Sequence, residues 1–441
     1  MSLTKGRSTL LPSFISYRSF LVLALLLLSG CSVTHKKVNQ LSQSLNTNSP
    51  EAVLTQLQTI KPKEKDRPLF NLNIGTLQFL SQDYPSAITS LTLAKEEMAV
   101  LYATSITENI GAATVNETMR SYSGTPSDLV MVHNLLALSY LFNNDPDSAR
   151  VEILQADIMM KKLIKKDSNS GQLASAHLIS AVIYELLDEQ DNALISYKFA
   201  AELMQARGTP LTNDIKLALT RLSKELGILD QFDQYKSEFG ISDEQIEKLT
   251  AKNSSALYFI HFDGVVTSKK EVSIMVPSYH DNRNDQLIRI AMPSYPNVVR
   301  NIGNATIDVG EQDIRTSEIE NVNTIAREDL DAEYPAILLA TTSRAVLKYD
   351  AVKNAEKKDP LAGFIMNVAT VLSESADVRS WNMLPASIQY AYVSTGEDNV
   401  AIRARRLAKR KIALNPGSKH VILTSSISDK LFHYQQEKSI Y

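Results

Sequence analysis

From Phe70 to about Gly240, apolar residues recur at i, i+3, i+4 and i+7 with few β-branched runs, a period that predicts helices. Three windows align on an alanine, a bulky residue four later and an alanine three after that. They are Ala87-Leu91-Ala94, Ala149-Ile153-Ala156 and Ala193-Tyr197-Ala200. Twelve residues before each first alanine stands a small residue, at Gly75, Ala137 and Ala181, and Tyr140 and Tyr184 follow the last two by three positions. Asp83-Tyr84-Pro85 and Asp145-Pro146-Asp147 fall between paired helices, where Asp caps and Pro opens the next helix. The first alanines are 62 and then 44 residues apart, so inserts lengthen helices or loops, notably around residues 96–128. A weaker pair near 217–226 and 228–239 is expected to close the array, since stacked repeats need an end that shields the last apolar face.

After a charged, linker-like stretch at 243–253 the period changes to two. Tyr258-Phe259-Ile260-His261-Phe262, Val272-Ser273-Ile274-Met275-Val276, Leu287-Ile288-Arg289-Ile290-Ala291 and Thr306-Ile307-Asp308-Val309 read as strands between Gly, Pro or polar turns. A helical insert is expected from about 325 to 373, broken near Asp359-Pro360, and strands return at 387–393 and 419–424. The apolar portion of that insert, 361–372, is too short to span a bilayer, which takes about 20 residues, so it reads as a buried or interfacial helix. The expected fold class is α+β: a helical repeat array over 51–242, then a β-rich, sandwich-like domain over 254–441 with the helical insert.

The amino terminus changes the picture by giving an address. Lys5, Arg7 and Arg18 precede a nine-residue apolar run from Phe20 to Leu28, and the first acidic residue is Glu51. A positive n-region, a short apolar core and small residues before a cleavage point describe a secretory signal over 1–30. Leu28-Ser29-Gly30-Cys31 resembles the bacterial lipobox, whose cysteine receives a diacylglycerol and becomes the mature amino terminus. Cys31 is the single cysteine in 441 residues, so neither an intramolecular disulfide nor a zinc site of several thiolates is available. The resemblance implies lipidation at Cys31, and Ser32 in place of Asp implies sorting to the outer membrane. Polar residues over 31–50 then read as a tether or a loosely held helix.

The small–aromatic–alanine spacing resembles the tetratricopeptide repeat (TPR), although the period of that repeat is about 34 residues. Ser121-Tyr122-Ser123-Gly124, the segment 130–140, Ser148-Ala149-Arg150-Val151-Glu152 and Asp377-Val378-Arg379-Ser380-Trp381-Asn382-Met383-Leu384-Pro385 resemble a family of uncharacterised proteobacterial lipoproteins with TPR-like amino-terminal halves. The resemblance covers most of the mature chain and brings no catalytic residues with it. It implies an envelope protein, lipid-anchored on the periplasmic face, that works as a non-enzymatic scaffold for an envelope-assembly protein. In a TPR groove, helix positions two, five, nine and twelve would hold Leu69, Leu72, Thr76 and Phe79 in the first repeat, then Met131, Asn134, Leu138 and Leu141, then Ser175, Leu178, Val182 and Glu185. Eight of the twelve are apolar, so this strip is expected to be covered, by the chain's own helices or by an apolar partner segment.

Chemistry is sparse. The 46 Lys+Arg against 49 Asp+Glu give a net charge of −3, which offers no general reason to bind nucleic acid. With 15 glycines and neither G-x-G-x-x-G nor G-x-x-x-x-G-K-[ST], no phosphate cradle and no cofactor is expected. HExxH and G-x-S-x-G are also absent, and the seven histidines are dispersed. His133 and His177 share the fourth position of their repeats, a packing position rather than a metal site, and Trp381 reads as a core anchor at a helix-to-strand junction. Arg403, Arg405, Arg406, Lys409, Arg410 and Lys411 form a local positive field suited to a charged edge or to contact with an anionic envelope component. A hydrolase or transferase acting on an envelope polymer is the rival reading, and it would require a convergent nucleophile–base pair in the β-rich half.

Overall fold

The computed structural model describes residues 30–107, 117–251, 253–278, 286–298 and 303–436. Residues 1–29 of the expected signal segment 1–30 lie outside them, as does part of the expected insert at 96–128. Cys31 stands at the start of α1 (Gly30–Ser44).

Among the described residues, eleven α-helices make the first half, from α1 and α2 (Pro50–Gln58) to α11 (Asp243–Leu249). Between them lie α3 (Arg67–Leu80) and α4 (Tyr84–Thr107), α5 (Pro126–Phe142) and α6 (Pro146–Leu163), α7 (Ala174–Leu186) and α8 (Gln190–Ala206), and α9 (Asn213–Glu225) and α10 (Leu229–Phe239). These four pairs are the four expected hairpins. Their turns share one geometry. Gln82, Asn144, Asp188 and Gly227 each adopt a left-handed φ, between 59° and 72°. The next residue's N–H then donates five residues back, to the carbonyl of Gln78, Tyr140, Tyr184 or Ser223. This is the Schellman closure that satisfies the orphan carbonyls of a helix end. Asp83 and Asp145 accept from the N–H of Ser86 and Ser148 and so cap the second helices. Gly75 is required by close approach: a Cβ there would stand 2.6 Å from Leu91 Cγ on α4.

Two stretches differ from expectation. Residues 30–44 form a docked helix and 45–49 a turn, rather than a tether, because Val38, Leu41 and, just past the helix end, Leu45 form a buried stripe that the polar composition hides. Within the charged stretch at 243–253 stands α11, capped by Ser242 and anchored by buried Ile246.

The second half is built on a mixed five-stranded sheet in the order β11-β10-β1-β7-β6. Its strands are β1 (Ser255–Asp263), β6 (Ser317–Asn321), β7 (Ser387–Thr395), β10 (Lys419–Ser425) and β11 (Leu431–Gln436). Only the β1–β10 pair is parallel, with Tyr258 opposite Val421. The alternation along β1 divides its contacts. Tyr258, Ile260 and Phe262 join the core of the helical half, together with Ile388, Tyr390 and Leu423. Leu257 and Phe259 face the other way and share a second cluster with Ile307, Val400, Ile402 and Ile412. Those partners come from an antiparallel sheet in the order β5-β4-β8-β9, made of β4 (Thr306–Val309), β5 (Gln312–Arg315), β8 (Asn399–Arg403) and β9 (Arg410–Ala413). A strand with both faces buried reads as a continuous apolar run, as β1 does.

The expected insert is a helical hairpin of α12 (Val322–Lys358) and α13 (Pro360–Ser373), broken where Asp359 caps and Pro360 opens α13. Beside it the antiparallel pair β2 (Lys270–Ser278) and β3 (Gln286–Ser294) packs against both helices through β3. We call these four elements the arm.

Candidate interaction surface

All twelve groove positions are buried. Leu69, Leu72, Phe79, Met131, Leu138, Leu141, Leu178 and Val182 therefore offer no open partner groove in this fold. The cover is intramolecular, and it comes from the five-stranded sheet and the 376–386 segment, with Val322 and Ile325 at the start of α12 beside Met131. Phe79 stacks on Phe432 of β11 at 5.1 Å, with Phe262 at 6.4 Å and Phe142 at 6.3 Å. Trp381, 2% exposed, donates Nε1–H to Thr76 Oγ1 at 2.9 Å, and the N–H of Met383 donates to Asn73 Oδ1. It is a core anchor, clamping the segment onto α3.

The polar groove positions are where the two halves are keyed together. Glu320 at the end of β6 accepts from the N–H groups of Ala174 and Ser175 and from Ser175 Oγ, so a carboxylate sits at the N-terminus of α7. Asp329 of α12 accepts from Ser127 N–H at the start of α5 and from Ser170 Oγ. Glu185, 4% exposed, accepts from Arg221 Nη2 at 2.7 Å and from the hydroxyls of Tyr197 and Tyr258 at 3.0 Å. Burial first, and then nearby charge, pushes both phenols well above their ordinary pKa, so they remain neutral donors. Asp214, pushed up to about 6 by burial, accepts from the N–H of Tyr392.

His133 and His177 lie apart in role. His133 Nδ1 meets Glu152 Oε2 at 2.6 Å, and Lys95 bonds the other carboxylate oxygen. The ring of His177 packs on Phe199, and burial holds its imidazole down at about 4. An unfolded histidine titrates near about 6.5, so between about pH 6.5 and about pH 4 the unfolded chain takes up this proton and the fold does not. Stability contributed by the neutral ring is therefore present above that window and lost as pH falls through it. His177→Phe keeps the ring and removes the titration. Between about pH 7 and about pH 5 the parent should lose about 2 kcal/mol more than the variant in urea unfolding. Equal losses would place the ring in water.

Two hydroxyl–histidine contacts escaped sequence reading, because their members meet across a strand pair or a turn: buried His261 Nδ1 lies 2.8 Å from Thr424 Oγ1, with Asp263 Oδ1 4.0 Å from its Nε2, and a second involves Ser418. Ser418 Oγ is 2.6 Å from His420 Nε2, and His420 Nδ1 is 2.9 Å from His433 Nε2. The arrangement is not a primed nucleophile. Ser418 is 4% exposed and its hydroxyl already donates to the Asn415 carbonyl, so His420 Nε2 carries the hydrogen toward it. Its imidazole is held down at about 4 by burial and then by His433. A base that is donating cannot accept the serine proton. The hydrolase or transferase reading gains nothing from this cluster.

Half of the basic segment is engaged internally. Arg403 pairs with Asp308 and Asp313, Lys409 pairs with Asp308, and Arg406 donates to the carbonyls of Asn48 and Ile427. Arg405, Arg410 and Lys411 are exposed and form no ion pair among the described residues. Arg410 and Lys411 lie on β9, the last strand of its sheet, where charge discourages further strand pairing.

The large exposed apolar surface lies elsewhere. Of 27 exposed large hydrophobic residues among those described, 16 belong to the four elements of the arm. α13 is not a buried helix: only Gly363 is buried along it. On β2, Val272, Ile274 and Val276 share one exposed face, and among the described residues β2 pairs with β3 alone. By contrast, the cavity between α5, α12 and the Trp381 segment measures about 30 Å³. That is room for one water, where small-molecule pockets run to about 300–1,000 Å³. A search of family models finds no match to this chain, and no curated protein is significantly similar to it.

Proposed function

We propose that this chain is a lipid-anchored periplasmic scaffold of the outer membrane that binds an envelope-assembly protein, without catalysis of its own. The observation that carries the reading is the contrast between the one-water cavity beside Trp381 and the apolar arm held out from a rigidly keyed body. Four hairpins with the same turn, and Gly75 at the closest approach of α3 to α4, favour a TPR-like array. An apolar cluster shared by two sheets favours a sandwich-like β-rich half. Both are used here as framework, since the array's groove is filled from within. The partner surface moves to the open edge of β2, where Val272, Ile274 and Val276 suit an added strand. Arg405, Arg410 and Lys411 remain available to an anionic envelope component, and nothing in the charge balance calls for nucleic acid. Leu28-Ser29-Gly30-Cys31 supplies the anchor.

One experiment separates these parts. Tagged full-length chain is cross-linked in cells, purified and probed with a fatty-acid label. Cys31→Ser should lose the label. Ile274→Glu, at an exposed position, should keep the label and its melting temperature while losing at least tenfold of the captured partner. Retained labelling of Cys31→Ser would sink the lipoprotein address, and undiminished capture by Ile274→Glu would sink the β2 docking edge.

A further inference from the structure

The end of the fold that carries Cys31 is basic in an otherwise acidic chain. From Cys31 to Lys63 there are four lysines, Lys36, Lys37, Lys61 and Lys63, and one acid, Glu51, while the whole chain has a net charge of −3. All four lysines are exposed. Glu51 lies 3.7 Å from Lys430. The next acids along the chain are exposed Glu64 and buried Asp66, and Asp66 is engaged by Arg379 at 3.1 Å.

Sequence separates the two pairs of lysines, and the fold brings them together. His35 Nε2 of α1 lies 3.6 Å from Asp66 Oδ2, and His35, Val38 and Pro62 line one cavity of about 20 Å³. The 61–63 segment therefore runs beside the turn of α1 that carries Lys36 and Lys37. On its other side α1 is held by the 376–386 segment, whose Asn382 donates to Asn39 Oδ1. Val38 and Leu41 are buried beneath it. The helix is unbroken from Gly30 to Ser44, so Cys31 stands about 7.5 Å along its axis from Lys36 and about 9 Å from Lys37. We infer that Lys36, Lys37 and Lys61 form a collar that seats this end of the protein on anionic phospholipid headgroups, a second membrane signal beside the acyl group. The inference rests on the reading of Cys31 as the lipidated residue.

Geometry and charge together choose lipid as the occupant. A membrane that holds Cys31 lies about one Debye length from Lys36 and Lys37, since that length is about 8 Å at physiological ionic strength. Near an anionic surface each lysine strengthens binding about fivefold. Because α1 is pinned at Val38, Asn39 and Leu41, the body of the protein cannot be paid out on a leash, and a face of negative sign this close would be pushed off. The choice of residue agrees. Between 31 and 63 every basic residue is lysine and none is arginine. A point charge on a flexible stem follows a fluid headgroup layer, whereas the planar fork of arginine suits a fixed partner. Arg403 and Arg406 of the other basic segment are used in that second way, on Asp308 and on the Ile427 carbonyl.

The test uses the chain as it is recovered from the cell envelope, reconstituted into vesicles of phosphatidylcholine and phosphatidylglycerol. Two photoreactive lipids, alike except for a phosphatidylglycerol or a phosphatidylcholine headgroup, are compared, and labelled peptides are mapped by mass spectrometry. Peptides from 35–40 and 61–65 should take at least fivefold more of the anionic probe than of the zwitterionic one. The triple variant Lys36→Ser, Lys37→Ser, Lys61→Ser should bring the two probes level and leave the melting temperature unchanged, because all three side chains are exposed. The control variant Arg405→Ser, Arg410→Ser, Lys411→Ser should keep the parent's ratio. Equal labelling by both probes in the parent would mean that proximity alone is read and would overturn the collar. Preferred labelling at 403–411, or none at the collar on a chain whose Cys31 carries acyl mass, would turn this face away from the lipid and overturn it while leaving the anchor intact. A Cys31 without acyl mass would overturn the address itself, and the collar with it.

Discussion

Leu138→Glu should unfold the protein or come close to it. Leu138 is 1% exposed, at the centre of the strip covered by the sheet. The substitution forfeits about 1.5–3 kcal/mol of apolar burial. It also leaves a carboxylate with no partner in a core, a change that belongs to the rare class costing about 4–5 kcal/mol or more. Set against the about 5–15 kcal/mol of a whole domain, that is most of the stability available. Circular dichroism melts of the purified chain read it directly, and poor recovery of soluble protein would point the same way. Wild-type melting would mean that the strip stands open in solution, that the sheet does not lie on the helices as described, and that the groove is free for a partner after all.

Arg221→Met should cost about 3–5 kcal/mol, the usual price of stranding one member of a buried ion pair. Arg221 is 5% exposed and, among the described residues, supplies the only charge that touches the Glu185 carboxylate. After its loss the carboxylate keeps two phenol donors, Tyr197 and Tyr258, which hydrogen-bond it without neutralising it. The double variant Glu185→Gln, Arg221→Met removes the charge and keeps an acceptor for both tyrosines. It should recover at least about 2 kcal/mol of the single variant's loss, a coupling of the size contacting residues show. Urea midpoints at equal slope measure both. A cost below about 1 kcal/mol for Arg221→Met, or strictly additive losses, would mean that the pair is solvated.

Both predictions concern contacts between segments far apart in sequence, and here sequence and structure part company. Periodicity alone located the hairpins, because a helix that buries one side must repeat its apolar residues at helical spacing. It also located the insert and its break at Pro360, since proline lacks the N–H that a continuing helix needs. The strands 258–262, 387–393 and 419–424 were legible as apolar runs. β8 and β9 were not, because the arginines and lysines of 403–411 mask the few inward residues, Ile402 and Ile412, that make them strands. α1 was hidden in the same way, its buried apolar residues Val38 and Leu41 diluted among polar ones.

Candidate sites followed the same division. That the strip from Leu69 to Val182 needed a cover could be read from eight apolar residues at groove positions, because bare apolar surface of that extent is unstable in water. What covers it could not, since a sheet from residues 255–436 and a helix from an insert leave the same imprint on the helices they cover. The chain by itself determined its helical first half, its strand-bearing second half and the helical insert. Only the tertiary structure decided that the groove is filled from within, that Glu320 and Asp329 reach back to the starts of α7 and α5, that three of the six basic residues are already engaged, and that the uncovered apolar faces are those of α12, α13 and β2. The reason is that local pattern records which side of an element must avoid water, while the identity of what it packs against depends on pairings across hundreds of residues that no local pattern encodes.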